Sequence, residues 1–279
     1  MEPLETRSTS AYRSAASFWL PSHYLESAWF GHAPFAAWLL EAMRPRTVAE
    51  LGTHRGFSLF AFAEFAERLG LDTRIWALDS WEGDDQAGFY DENVYATVRT
   101  IAQNHYADRV ELVRGYFSDS VSRFEDGSID LLHIDGRHGY EDVREDYETY
   151  LPKLSSRGVV LFHDCYEFRE GFGVHRFWDE LATRHPSFRF HHSHGLGVLA
   201  VGDDVAPAVL EFLAAAERDA EEVRAFYAER GDVVIQEYGL RVHASRAASL
   251  ERELADLRAS RSWRITAPIR AVTGARARS

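Results

Sequence analysis

Short apolar runs and longer amphipathic stretches take turns along most of this chain. Thr47-Val-Ala-Glu-Leu51, Arg74-Ile-Trp-Ala-Leu78, Val110-Glu-Leu-Val113, Ile129 to Ile134 and Val159 to Phe162 are short and apolar, and turn-forming or charged residues separate them. Such runs predict buried strands. Between them, Phe57 to Leu69, Val94 to Asn104 and Tyr140 to Leu151 carry apolar residues three and four apart, with a brief further stretch near Ser120. That spacing gathers apolar side chains on one helical face. Strands alternating with helices predict right-handed crossovers and a parallel sheet, so the fold class is α/β. After Phe172 the pattern predicts a helix over Val174 to Arg184, then Phe188-Arg-Phe-His-His192 and Leu196-Gly-Val-Leu-Ala-Val201 as an antiparallel strand pair at one sheet edge.

The two ends read differently. Phe18 to Leu40 is aromatic and takes helical spacing through Phe35, Trp38 and Leu39. Core packing is the first expectation for such spacing, and a lid over a substrate pocket the second. Ala206 to Arg230 and Ser245 to Ser260 are rich in Ala, Glu and Arg, and Leu250, Leu254 and Leu257 share one stripe. That stripe suits a short coiled coil or a docked helix. The expected organisation is an N-terminal helical or lid segment (1–44), a central domain (45–203) and a helical C-terminal extension with a basic tail (204–279).

With 279 residues, 46% of them apolar and 13% aromatic, the chain can bury a full core. No window approaches eighteen uninterrupted apolar residues, and Met1 to Ser10 is polar, so neither a membrane span nor a secretory signal is expected. The expected location is cytoplasmic. The single cysteine, Cys165, fits a reducing compartment and reads as a small packing residue beside a strand end. A net charge of −13 argues against nucleic acid as a partner, because phosphate binding needs a cationic footprint. The sign is uneven, since Arg241 to Ser279 holds nine Arg against three acidic residues.

Candidate chemistry gathers where strands end. Glu50-Leu-Gly52-Thr-His-Arg-Gly56-Phe-Ser58 joins a strand to a helix through Gly-x-x-x-Gly, which lets backbone N–H groups approach an anionic or polar ligand. A dinucleotide fingerprint wants glycine two residues after Gly52, where His54 stands. Asp79 ends the second strand, where it can accept hydrogen bonds from both hydroxyls of a ribose. A nucleoside without a pyrophosphate fits better than NAD. Two later apolar runs deliver Asp135 and Asp164 at their carboxyl ends, with His138 just after the first. Open α/β sheets bind ligands there, and a buried carboxylate without a partner is costly. A plainer reading makes His133, His138 and His163 hydrogen-bonding groups of a rim. Glu141, Glu145 and Asp146 read as a solvated helical face, His191, His192 and His194 as edge polarity, and Asp84, Asp85 and Tyr90 as a loop near an acceptor.

In sequence order, Gly31-His-Ala-Pro-Phe-Ala-Ala-Trp38, Glu50 to Gly56, Asp79-Ser-Trp-Glu-Gly-Asp84, His133-Ile-Asp-Gly-Arg-His-Gly-Tyr-Glu141, Phe162-His-Asp164 and His194-Gly-Leu-Gly-Val-Leu199 resemble the class I S-adenosylmethionine-dependent methyltransferases. Within them they look most like the bacterial branch that O-methylates glycans and antibiotic sugars. The resemblance implies a Rossmann-like, doubly wound, mostly parallel seven-stranded sheet. It implies S-adenosyl-L-methionine as cofactor, with Gly52, Thr53 and Gly56 around the methionine moiety and Ser58, in the same segment, as a further cofactor-binding residue. Glu50 would contact or orient the amino end and Asp79 the ribose. Ser80 and Trp81 would lie beside the adenine, with Phe117 and Ser118 on its other side, although Trp81 also reads as loop packing.

The same resemblance places a divalent ion, magnesium or manganese among the candidates, on Asp135 and on an acidic pair at positions 163 and 164, and makes His138 the general base. His163 stands where a carboxylate is expected. Magnesium prefers oxygen ligands, whereas imidazole suits manganese, iron or zinc. Either His163 ligates a softer ion, or it points elsewhere and His138 works alone. A hydroxyl is a poor nucleophile until a base or a metal helps remove its proton, and an ordinary His is mostly neutral near pH 7. The expected activity is methyl transfer to a sugar hydroxyl of a glycan or glycosylated metabolite, by a homo-oligomer. Two other readings stay open: an NAD(P)-dependent oxidoreductase, and a catalytically silent cofactor-binding partner in a polysaccharide assembly complex. Arg261-Ser-Trp-Arg-Ile-Thr-Ala-Pro-Ile-Arg270 resembles a C-terminal motif of bacterial polysaccharide-assembly proteins. Its Trp263, Ile265 and Ile269 interleave with Arg261, Arg264 and Arg270, which suits an anionic inner-membrane face, a partner, or docking on the chain's own body.

Overall fold

Pro34 opens and Arg44 closes the first long helix, α1 (Ala33–Met43). Proline's fixed φ suits a first helical turn. Arg44 leaves the helix at φ 48°, and Pro45 after it blocks continuation. The computed structural model describes residues 11–84 and 88–265. After α1 come β1 (Thr47–Leu51), α2 (Phe57–Arg68), β2 (Arg74–Asp79), β3 (Gly83–Asp84), β4 (Gly88–Phe89), α3 (Glu92–His105) and β5 (Val110–Arg114). They are followed by α4 (Phe117–Ser120), β6 (Ile129–Ile134), α5 (Tyr140–Tyr150), β7 (Leu154–His163), α6 (Val174–Ala182), β8 (Ser187–Phe190) and β9 (Leu196–Ala200). The chain then runs through α7 (Pro207–Arg218), α8 (Ala220–Ala259) and α9 (Arg261–Ile265).

The main sheet has the order β5-β2-β1-β6-β7-β9-β8. Strands β5, β2, β1, β6 and β7 are parallel, and β9 runs antiparallel to both β7 and β8. This is the expected seven-stranded, doubly wound sheet with an antiparallel edge. The chain leaves β1 for β2 and β5 on one side, then returns to β6 on the other, so the switch point lies between β1 and β6. Ligands of open α/β sheets bind in the crevice at such a point. Helices α1, α2 and α7 pack together on one face, while α4, α5 and α6 pack together on the other. Side chains alternate accordingly. Leu51, Ile134 and Phe162 enter the apolar cluster with Tyr147, Phe177 and Trp178. Glu50 and His133, paired in register across β1 and β6, point the other way, toward Trp29 and Phe62.

The helical half of the aromatic N-terminal segment is core, whereas Phe18 ahead of it is exposed and residues 26–29 line a cleft. Phe35 and Trp38 are buried and meet Phe212 on α7, and Phe35 also meets Phe190 on β8. Residues through Val234 form one compact unit, so α7 and the first part of α8 belong with the sheet, and a second unit begins at Ile235. Three local features depart from the sequence expectations. Strand β7 starts at Leu154, ahead of its apolar half; a small β3–β4 hairpin interrupts the loop after β2; and α8 runs unbroken through residues 231–244. No helix among the described residues is long and apolar enough to cross a membrane. Asp85, Ile269, Arg270 and the rest of the tail beyond residue 265 lie outside the described residues, as does the side chain of Asp84.

Candidate active site

The glycine turn after β1 fills the switch-point crevice. Gly52 has φ 92°, and a Cβ there would sit 2.0 Å from the carbonyl oxygen of Asp135, so only glycine lets the ends of β1 and β6 meet. Gly56, at φ 85°, caps α2. Asp79 holds the turn in shape: its Oδ2 accepts from the N–H groups of Thr53 (2.9 Å) and His54 (2.7 Å), and its Oδ1 from that of Trp81 (2.7 Å). The Trp81 indole donates to the His54 carbonyl at 2.8 Å, and its ring is 1% exposed. The structure therefore places Trp81 behind the turn, as loop packing, rather than on the wall of the cleft beside it. On the open side the His54 ring stacks on Tyr90, with centroids 4.6 Å apart.

That cleft measures about 820 Å³. Gly52, Thr53, Gly56, Ser58, Asp79, Ser80, Phe117 and Ser118 line it, and so do Asp135, His138, His163 and Asp164. The first N–H groups of α2, at Phe57 and Ser58, have no intrahelical acceptor, and both residues line the cleft. An anionic group is favoured there. Glu50 lies deeper. The Trp29 indole N–H donates to His133 Nε2 (3.1 Å), so the His133 proton resides on Nδ1 and is donated to Glu50 Oε1 (3.0 Å). Glu50 Oε2 and the nearby Thr53 Oγ1 are buried with no hydrogen-bond partner among the described residues.

Asp135 and Asp164 follow β6 and β7, and Asp164 takes φ 57°. His163 lies between them. Its Nδ1 is 3.0 Å from Asp135 Oδ1 and 3.6 Å from Asp164 Oδ2, and its Nε2 is 3.1 Å from the Ser193 carbonyl. A carbonyl and a carboxylate only accept, so both ring nitrogens donate and His163 is an imidazolium. Burial works against that charge, but Asp135 and Asp164 outweigh it and hold the pKa well above the ordinary value. His163 is thus an internal cation with both nitrogens engaged, and it is not placed as the metal ligand that its position in the sequence led us to expect.

His138 Nε2 is 2.8 Å from Asp164 Oδ2 and 3.9 Å from Asp135 Oδ1, and the ring stacks on Phe172 at 4.7 Å. Burial pulls its pKa down, yet the hydrogen bonds and charges of the two carboxylates lift it to about 9. The neutral His138 expected near pH 7 is therefore replaced by a protonated one. Burial pushes the two carboxylates up, but His163 and His138 hold both below the usual range. Two anions and two imidazolium groups compose a balanced cluster. Asp135, His138 and Asp164 also offer three ligand atoms within 4.8 Å of one another.

Several cleft residues escaped the sequence reading. Trp29 is both core and cleft wall, in a 3-10 turn (Ala28–His32) that only the fold brings against His133 of β6. Asp146, read as solvated, faces Gly136 and Phe117 from α5, and burial followed by the charges of Asp142 and Glu145 raises its pKa to about 7. Its place next to Tyr147 and four residues before Tyr150, both buried, was the available signal. Cys165 is fully buried and burial pushes its thiol far up, which fits packing rather than nucleophilic chemistry. His192 packs against His32 within the fold, donating to the Gly31 carbonyl, so it belongs to the interior more than to an edge.

Comparison with known proteins follows the same outline. Residues 49–165 match a family profile described as a methyltransferase domain. A stretch of 181 residues is 48% identical to an uncharacterized protein, y4gI, of Sinorhizobium fredii, covering 64% of this chain and 20% of that protein. The chain thus spans about a fifth of the length of this curated relative. Among solved structures, a putative caffeoyl-CoA O-methyltransferase from Staphylococcus aureus superposes with a TM-score of 0.50 at 16% identity, over 64% of this chain and 86% of that one. An O-methyltransferase from Bacillus cereus in complex with SAH gives 0.48 at 19% identity, over 65% and 84%. The first likeness supports the Rossmann-like fold.

Proposed function

We propose that this chain is an S-adenosylmethionine-dependent O-methyltransferase whose acceptor is a hydroxyl of a small, sugar-containing molecule. The premise is the match of residues 49–165 to a methyltransferase domain. The observation that carries the reading is that one cleft joins the Gly52 turn to the Asp135, His138 and Asp164 cluster. The cofactor supplies an electrophilic methyl group on a sulfonium sulfur. Its fit rests on this chain's own groups: free N–H donors at the start of α2 suit a carboxylate, and the left-handed Gly52 turn lets backbone come close. Asp79 keeps that turn shaped, with three N–H groups on its carboxylate, and its remaining acceptor capacity is proposed for a ribose hydroxyl. Glu50, set behind the turn, orients rather than touches the methionine end, while Ser80, Phe117 and Ser118 line the side proposed for adenine.

His138 is proposed to receive the acceptor's proton in its neutral form, once Nε2 has lost the proton it donates to Asp164 Oδ2, and the Asp135 and Asp164 carboxylates stabilise the imidazolium that results. Because the pKa of His138 is lifted to about 9, its base form grows as the pH rises toward that value. A sugar acceptor is supported by the cleft rim, where Tyr90, Tyr116 and Phe89 offer ring faces and Glu26 and Asp142 offer acceptors. A second reading adds a divalent ion, favoured by the three convergent donors. Asp135, His138 and Asp164 would hold it, with His163 steadying Asp135. An ion there would polarise the acceptor oxygen, and two carboxylates with one imidazole suit manganese at least as well as magnesium.

Thermal unfolding with added ligand tests the cofactor assignment. S-adenosylhomocysteine is expected to raise the Tm in proportion to the logarithm of its concentration, and NAD to leave it unchanged. Stabilisation by NAD alone would return the chain to the oxidoreductase reading.

A further inference from the structure

Beyond Val234 helix α8 continues to Ala259 in the second unit, and its side chains there carry a pattern that the catalytic cleft does not use. Leu240, His243, Ala247, Leu250, Leu254 and Leu257 follow one another at alternating steps of three and four residues. A mean repeat of 3.5 is that of a coiled-coil seam, with Leu240, Ala247 and Leu254 at a and His243, Leu250 and Leu257 at d. All four leucines are solvent-exposed, at 66%, 55%, 44% and 51% for Leu240, Leu250, Leu254 and Leu257. An isolated exposed leucine is ordinary, but four along one stripe of a long helix ask for a partner. The next a and d positions are Arg261 and Arg264, which put like charges on the seam and end it.

The flanking charges identify the occupant. In this register the g positions hold Arg246 and Glu253, and the e positions hold Glu251 and Arg258. In a parallel, in-register pair each g residue lies against the e residue of the following heptad on the other chain. Arg246 then meets Glu251 of a second copy, and Glu253 meets Arg258, both opposite in sign and both generated twice by the two-fold axis. An antiparallel pair centred between Leu250 and Leu254 instead brings Glu251 near Glu251 and Glu253 near Glu253. Arg241 is spent on Glu237 within the helix, whereas no ion pair among the described residues engages Arg246, Glu251 or Arg258. We propose that residues 240–258 form a parallel two-stranded coiled coil with the same segment of a second copy of this chain.

Sedimentation equilibrium of the full chain over a concentration series is the test. The expected mass at the upper concentrations is twice the chain mass of 31.8 kDa. Leu250→Glu combined with Leu254→Glu should give the single-chain mass with an unchanged circular dichroism spectrum, because both residues are exposed in one copy. Arg246→Glu should raise the dissociation constant severalfold, and adding Glu251→Arg should restore it. Leu254→Cys should form an inter-chain disulfide on mild oxidation and Ser249→Cys, on the outer face, should not; the natural Cys165 is buried and does not compete. Three results would overturn the proposal: a single-chain mass throughout, a dimer that survives the double leucine substitution, or no recovery on double charge reversal. A single chain that instead sediments with anionic lipid vesicles through these leucines would assign the stripe to a lipid surface and also overturn it.

Discussion

Asp146 illustrates how much one half-buried carboxyl reveals. Its pKa is lifted to about 7 by burial and by the charges of Asp142 and Glu145, against an unfolded value near 3.9. Between those two values the folded chain holds a proton that the unfolded chain has lost, so stability falls as the pH rises from about 4 through 7. Asn carries no charge at any of these values. The Asp146→Asn variant should therefore unfold at a higher temperature than the parent at pH 8 and at a similar one near pH 4. An equal difference at both pH values would show that ionisation is not the cause. His163 makes the complementary point. Its identity invited a ligand role, but the sequence does not show that the Ser193 carbonyl occupies Nε2, because the loop before β9 reaches it only through the sheet pairing.

At the level of elements, strands and crossovers were legible because apolar runs ending in charged or glycine positions have few structural alternatives. Boundaries were less so. The first part of β7 runs through polar Ser155, Ser156 and Arg157; Leu154 pairs with Ile129, the register then shifts before Val159, and backbone bonds from Asp204 to Ser156 and from Val201 to Gly158 hold the stretch where apolarity does not. Strand β9 shows how closely the elements are fitted. A Cβ at Gly197 would lie 2.3 Å from the Trp178 ring of α6, and that ring is 3% exposed and has no room to retreat. Gly197→Ala should cost about 1–3 kcal/mol by overpacking, or a fall in Tm of roughly 2–4 °C per kcal/mol for a unit of this size. An unchanged melting temperature would mean that α6 yields more easily than its burial indicates.

For the whole molecule, the order of motifs along the chain anticipated the sheet and the cleft, since each motif closes a strand and the strand ends converge at the switch point. What the sequence could not supply were contacts made across the sheet: Trp29 with His133, Trp81 with the back of the glycine turn, and the two-cation balance around Asp135 and Asp164. The chemistry proposed for this cleft is methyl transfer with His138 as the base. The most direct measurement is the transfer of isotopically labelled methyl from S-adenosylmethionine to a panel of sugar acceptors, by the parent chain and by His138→Ala, with S-adenosylhomocysteine affinity measured for both. Labelled product is expected from the parent, at a rate that rises as the pH approaches about 9, and loss of product from the variant with affinity retained. Equal turnover by the variant would remove His138 as base, and a parent chain that binds no S-adenosylhomocysteine would contradict the account itself.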